Sequence, residues 1–361
     1  MSNIPEIDHE LFGTDNSSDN PVYTAGTDYG FPVPKVYSLD ELQAMDLPPI
    51  KWILYPFIPE KGVCMIAAPR GVGKSFFAMT MALVVSSGAK FLGFRADEAY
   101  RVLYVDGEMN GRTLQDRFNA LSAGLEQDGV SLKTENLHIY GCDFQENAVM
   151  PDIANPNHWP AIDMAIQQMN GVDLIILDNI FTLYNCPDEN AASNWQAFNR
   201  WSIRQRNAGR SVLWIHHTGK DADKGGRGSS AIETLMDASM LLKRPQGYTA
   251  NQGAVISVEY TKNRSRAGDD VAKFAIRLEN IDQVLKWTPI QGEEELELEK
   301  LKELLNRGMG VAQIIKETGL SQPQVYRILG NAGIKNPGKI AKAAQQRIAE
   351  ENKKQIQIEM E

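Results

Sequence analysis

The run Ala68-Pro69-Arg70-Gly71-Val72-Gly73-Lys74-Ser75 has the make-up of a phosphate cradle. It matches Gly-x-x-x-x-Gly-Lys-Ser/Thr except that Ala68 stands at the first position. An apolar strand-like run, Val63 to Ala67, leads into it and a helical pattern leads out. That context aims backbone N–H groups and a helix N-terminus at an anion. Lys74 is spaced to reach β- and γ-phosphates and Ser75 to hold Mg²⁺, and Phe76, next in the helix, completes the expected nucleotide contacts. The rival reading is a Gly-rich turn with a solvated lysine.

A carboxylate beside the metal is expected at the end of a second buried strand. Asp173 to Asp178 supplies it, four apolar residues ending at Asp178,. Within Asp106-Gly107-Glu108-Met109, after the run Val102 to Val105, Glu108 is placed to take a proton from a water attacking the γ-phosphate, with a surface ion pair as the competing role,. His216 and His217 close a later strand. Either is a candidate γ-phosphate sensor, His216 the first choice, and either could equally be a buried, hydrogen-bonded histidine.

The elements that position these groups alternate. Strand runs Val63 to Ala67, Val102 to Val105, Leu137 to Tyr140, Leu174 to Leu177 and Val212 to Ile215 read as buried on both faces. Between them lie helical patterns over Lys74 to Ser87, Thr113 to Leu125, Trp159 to Met169 and Asn194 to Asn207. This predicts an α/β, mainly parallel sheet with helices on both sides. Ser239 to Leu242, Ala254 to Tyr260, Lys273 to Leu278 and Val284 to Trp287 follow without long helices and predict antiparallel strands at the sheet edge.

Composition bounds the rest. No apolar run approaches the ~20 residues of a membrane span, so a cytoplasmic protein is expected,. Cys64, Cys142 and Cys186 are scattered and support neither a disulfide framework nor a zinc site,. The net charge of -9 is concentrated at the start, where nine acidic residues face Lys35 alone before residue 51. The remainder is near neutral and has room for basic surfaces. We divide the chain into an acidic, Asn-, Ser- and Pro-rich segment (1–47), an α/β domain (48–290), a small helical domain (296–338) and a polar tail (339–361). Ser38 with Glu41 predicts a capping box at a short helix.

As an ordered set, the Ala-x-x-x-x-Gly-Lys-Ser loop, Tyr104 to Glu108, Leu174 to Asp178, His216-His217-Thr218 and Arg227 to Ala231 resemble the plasmid RepA-type hexameric helicases, relatives of DnaB and RecA among the P-loop ATPases. The resemblance covers about Pro48 to Thr288. It implies a RecA-like fold, a ring of usually six subunits, ATP at each interface and single-stranded DNA in the channel. It implies that Glu108 is the catalytic carboxylate and that Lys262 and Arg264 reach the γ-phosphate of the neighbouring subunit, with a solvated basic turn as the plainer reading. It also places a DNA-contacting loop at residues 219–230, with Lys220, Lys224 and Arg227, diluted by Asp221 and Asp223. A catalytic or structural role for Arg227 stays open.

The last 60 residues carry a different pattern. Leu301, Leu304 and Leu305, then Val311, Ile314 and Ile315, then Val325, Ile328 and Leu329 mark the inner faces of three helices,. Thr318-Gly319-Leu320-Ser321 supplies the turn and a cap. The pattern looks like a resolvase-type helix-turn-helix, leaving Gln322, Gln324, Tyr326 and Arg327 for a duplex DNA groove or for a protein partner. An ATP-driven DNA motor is the leading expectation. An ATP-switched DNA-binding regulator or loader and a filament-forming recombination ATPase are the alternatives.

Overall fold

Apolar runs between Trp52 and Ile290 form thirteen strands in the computed structural model, which describes residues 35–185, 192–218, 233–245, 254–290 and 293–359. The chain divides into two units, Met1–Pro49 and Ile50–Glu361. In the first, Ser38 Oγ accepts from the Glu41 N–H (3.1 Å) and the Glu41 carboxylate accepts from the Ser38 N–H (2.7 Å). This capping box opens α1 (Leu39–Ala44), none of whose residues is buried.

The second unit begins with a small hairpin, β1 (Trp52–Leu54) and β2 (Ile58–Pro59). Then come β3 (Val63–Ala68), α2 (Lys74–Ser87), a second hairpin of β4 (Lys90–Phe91) and β5 (Phe94–Arg95), β6 (Val102–Asp106), α3 (Gly111–Gln127), β7 (Leu137–Gly141) and α4 (Trp159–Gln168). β8 (Leu174–Asp178), α5 (Ile180–Leu183), α6 (Gln196–Asn207), β9 (Ser211–His217), β10 (Ala238–Lys243), β11 (Ala254–Asn263), β12 (Phe274–Ile281) and β13 (Val284–Ile290) follow. Nine strands join in the order β13-β12-β11-β10-β3-β9-β8-β6-β7. From β10 to β7 all neighbours are parallel, and β10 to β13 pair antiparallel.

Both faces of this sheet are covered, which is why its central strands are continuous apolar runs. Along β3, Cys64, Ile66 and Ala68 join the core under α2, while Val63 and Met65 join the core under α4 and α6. α2 is apolar all round, and every residue except Ser75 and Phe76 is buried,. Two expectations need correction. β10 is parallel to β3, because twenty residues separate it from β9, enough for the crossover that a parallel pair needs,. β7 is the edge strand and is half exposed, so its apolar run is not covered on both faces.

Beyond the sheet, α7 (Glu293–Asn306), α8 (Val311–Thr318), α9 (Gln322–Asn331) and α10 (Pro337–Glu359) form a helical segment. Leu301, Leu304, Leu305, Ile314, Val325, Ile328 and Leu329 build its own core, with Val311 and Ile315 packed against it. Gly319 ends α8 in the left-handed conformation and Ser321 opens α9, its N–H and hydroxyl donating to Gln324 Oε1,. The polar tail has more to bury than its composition suggests: Ala341 and Ala344 of α10 are buried, and Ala341 belongs to this core.

Candidate active site

At the end of β3 the chain turns through Gly71 (φ 75°) and Gly73 (φ 114°), conformations costly for any residue with a Cβ,. A Cβ on Gly73 would also lie 3.0 Å from Ile256 Cδ1. Gly73 caps α2 without a side-chain acceptor, so the N–H groups of the first turn are left to a ligand,. Arg244, just past β10, donates to the Gly71 carbonyl at 2.6 Å and ties down the back of the loop.

Lys74 is only 7% exposed and its ammonium lies 3.4 Å from Ser75 Oγ and 3.6 Å from Asp178 Oδ1. Tyr104 donates its hydroxyl to the other oxygen of Asp178 at 2.8 Å. Asp178 Oδ1, buried, has no hydrogen-bond donor among the described residues. A hydroxyl and a carboxylate oxygen at a phosphate cradle fit Mg²⁺, a hard cation that takes oxygen ligands and completes its shell with water and phosphate.

Asp106, in register with Asp178 on the neighbouring strand, accepts the N–H groups of Glu108 (3.0 Å) and Met109 (2.6 Å). Burial raises its carboxyl to about 6 against the pull of those two N–H groups. Glu108 leans over the cleft, its carboxylate held by the buried Asn179 side-chain amide at 2.7 Å. His217 Nε2 lies 3.9 Å from the same oxygen. Together with Phe76, Arg117, Phe181 and Thr182 these groups line a cleft of about 490 Å³, a size that suits a nucleotide. At one end Arg117 lies 4.6 Å over the Phe76 ring and touches Met109 Sδ, a flat, cationic and apolar ledge. At the other, Arg70 stands over the exposed ring of Phe181.

Residues 32–223, more than half of the chain, match the model of the AAA domain. The chain belongs to the AAA-domain family. Nucleotide use comes with that membership, and residues 289–331 of this AAA protein match the helix-turn-helix domain of resolvase. Two similar solved structures are the ATPase domain of the gene 40 product and a DnaB-like replicative helicase solved for its interactions with primase. Each is 14% identical over 63% of this chain, with TM-scores of 0.44 and 0.46. The aligned part covers 85% of the former and 57% of the latter.

Within the AAA protein, Ala68 to Phe76, Glu108 and Asp178 are brought to one cleft end. His216 is not: it is buried, its imidazole pushed down to about 4 by burial, and it does not line the cleft. Neighbouring residues of a strand point to opposite faces, so His217 takes the place expected for His216. Lys262 and Arg264 are also elsewhere. Asn263 pairs with Ala238, which pairs with Cys64, so they lie at the far end of β3, about 15 Å away at ~3.3 Å per residue,. There Lys262 donates to the Thr234 carbonyl (3.3 Å), and Arg264 to the same carbonyl (2.8 Å) while it pairs with Asp237 (3.6 Å).

The loop with Lys220, Lys224 and Arg227 lies outside the described residues. Gln322, Gln324, Tyr326 and Arg327 are exposed on α9. Asn179, Asp106 and Arg117 went unassigned in the sequence. Asn179 alone had a signal, its place directly after Asp178; the other two depend on strand register and on the packing of α3 over α2. Among the described residues no helix is long and apolar enough to cross a membrane.

Proposed function

We propose that this protein is an ATP-driven DNA motor, a replicative-type helicase of a plasmid, phage or other mobile element. It hydrolyses ATP between neighbouring copies of itself in a closed ring, six being the number its resemblance to RepA-type helicases implies. The observation that carries this reading is the division of the chemistry: Lys74, Ser75, Asp178 and Glu108 meet at one end of the sheet, whereas Lys262 and Arg264 sit at the other. One copy therefore supports binding but leaves the γ-phosphate without its second pair of cations, and an adjoining copy supplies them.

In this scheme the loop Gly71 to Ser75 and Lys74 hold the phosphates, and the purine lies on the ledge of Arg117, Phe76 and Met109. Mg²⁺, held by Ser75 and Asp178, supplies charge neutralisation at the phosphates. Glu108 accepts the proton of the attacking water, and His217 senses the phosphate beside it. Single-stranded DNA runs along the loop 219–230. The helix α9 offers Gln322, Gln324, Tyr326 and Arg327 to duplex DNA, which recruits the motor to a site.

That exposed helix also favours a second reading, an ATP-switched DNA-binding regulator or loader that opens no duplex. ATP hydrolysis measured with and without single-stranded DNA, on wild type and Lys74→Ala, separates the two. Stimulation by DNA together with strand displacement supports the motor; site-specific duplex binding with unstimulated hydrolysis removes it.

A further inference from the structure

We infer that Asp106 is a positioning residue, whose side-chain oxygen sets where Glu108 and Met109 stand over the cleft. The inference rests on the reading of Glu108 as the proton acceptor and goes beyond it. Asp106 closes β6 and is 1% exposed. One of its oxygens accepts two successive N–H groups, those of Glu108 and Met109, and so ties the backbone that leaves the strand into a fixed turn,. Glu108 is thus held at two points, its backbone by Asp106 and its carboxylate by Asn179. The same turn presents Met109 Sδ to Arg117 at 3.1 Å. One acceptor therefore fixes the proton-accepting group and one side of the ledge.

A buried aspartate closing a turn for stability alone would make the same two hydrogen bonds, so the test needs a readout that stability does not move. Asparagine keeps a carbonyl acceptor at the same place, and alanine removes it. For Asp106→Asn we expect turnover within about threefold of wild type. For Asp106→Ala we expect turnover to fall about thirtyfold or more, with affinity for a non-hydrolysable ATP analogue and Mg²⁺ within about threefold of wild type; a lost acceptor that misplaces a general base costs rate rather than ground-state binding.

Thermal unfolding is followed in parallel. If Asp106→Ala does not fold, Asp106→Ser, which keeps one hydroxyl acceptor, replaces it and is expected to fall between the other two. Wild-type turnover in Asp106→Ala or Asp106→Ser overturns the inference. So does equal loss in Asp106→Asn together with a raised Mg²⁺ requirement, which would make Asp106 a metal ligand. Glu108→Gln is run alongside: undiminished hydrolysis there sinks the reading of Glu108 itself, whereas an inactive Glu108→Gln beside a fully active Asp106→Ala sinks only the role of Asp106.

Discussion

The buried amide of Asn179 donates to the Glu108 carboxylate at 2.7 Å, so the residue after one strand's aspartate restrains the carboxylate that follows the next strand. Glu108 is otherwise largely solvent-exposed, and a long exposed side chain samples many rotamers,. Asn179→Ala is expected to lower ATP turnover about tenfold with KM little changed, because general-base efficiency depends on placement. Steady-state kinetics over a range of ATP concentrations decides it. A raised KM at unchanged kcat would assign Asn179 to binding.

Lys74 and Asp178 form a pair in which neither partner meets much water. Removing the ammonium leaves a buried carboxylate with Tyr104 as its remaining donor, which costs roughly 3 kcal/mol,. We expect Lys74→Ala to lose both nucleotide binding and stability. Adding Asp178→Asn should recover the stability but not the binding, as read by chemical denaturation and by a fluorescent nucleotide.

Because Arg264 lies at the opposite end of β3 from the loop, its loss should spare nucleotide binding and reduce hydrolysis about 10³-fold or more,. Mixing tests the division directly. Lys74→Ala and Arg264→Ala, each inactive alone, should regain part of the wild-type rate when assembled together, since some interfaces then carry both intact halves. A mixture as dead as its components would falsify the shared site.

His216 gives a pH signature. Its imidazole is held neutral down to about 4 by burial and by His217 beside it, against 6.5 in an unfolded chain. The unfolded state therefore takes the proton first. The stabilising contribution is complete above pH 6.5 and is lost as the pH falls from there to about 4, by up to roughly 3 kcal/mol. Urea midpoints at pH 7.5 and pH 5 should diverge less in His216→Asn than in wild type. Asp106, with its raised carboxyl range, acts in the opposite direction in both proteins and cancels in that comparison.

On the helical segment, Arg327→Ala should weaken duplex binding by about 1–3 kcal/mol while leaving ATP turnover in the absence of DNA unchanged. Gel-shift titration at fixed salt measures the first and a coupled assay the second. Unaltered duplex affinity would point α9 toward a protein partner.

Much of this was legible in the residues themselves. The phosphate loop announces itself because the turn demands glycine at 71 and 73 and the helix behind it is apolar. The inner faces of α7 to α9 follow from spacing alone. What could not be read is whatever depends on register between distant strands. Asp106 stands beside Asp178 only because β6 pairs with β8, and Arg117 meets Phe76 only because α3 packs over α2. The choice between His216 and His217 turned on a one-residue parity that an apolar strand buried on both faces does not reveal.

The insertion of β9 between β3 and β8 has a mechanical corollary. The strand that separates the lysine from the aspartate ends at His217, inside the cleft, and two residues later begins the stretch bearing Lys220, Lys224 and Arg227. A nucleotide that shifts His217 thus pulls on that stretch through the covalent chain itself. Fuel and track are joined by a tether two peptides long, with no domain interface to rearrange between them.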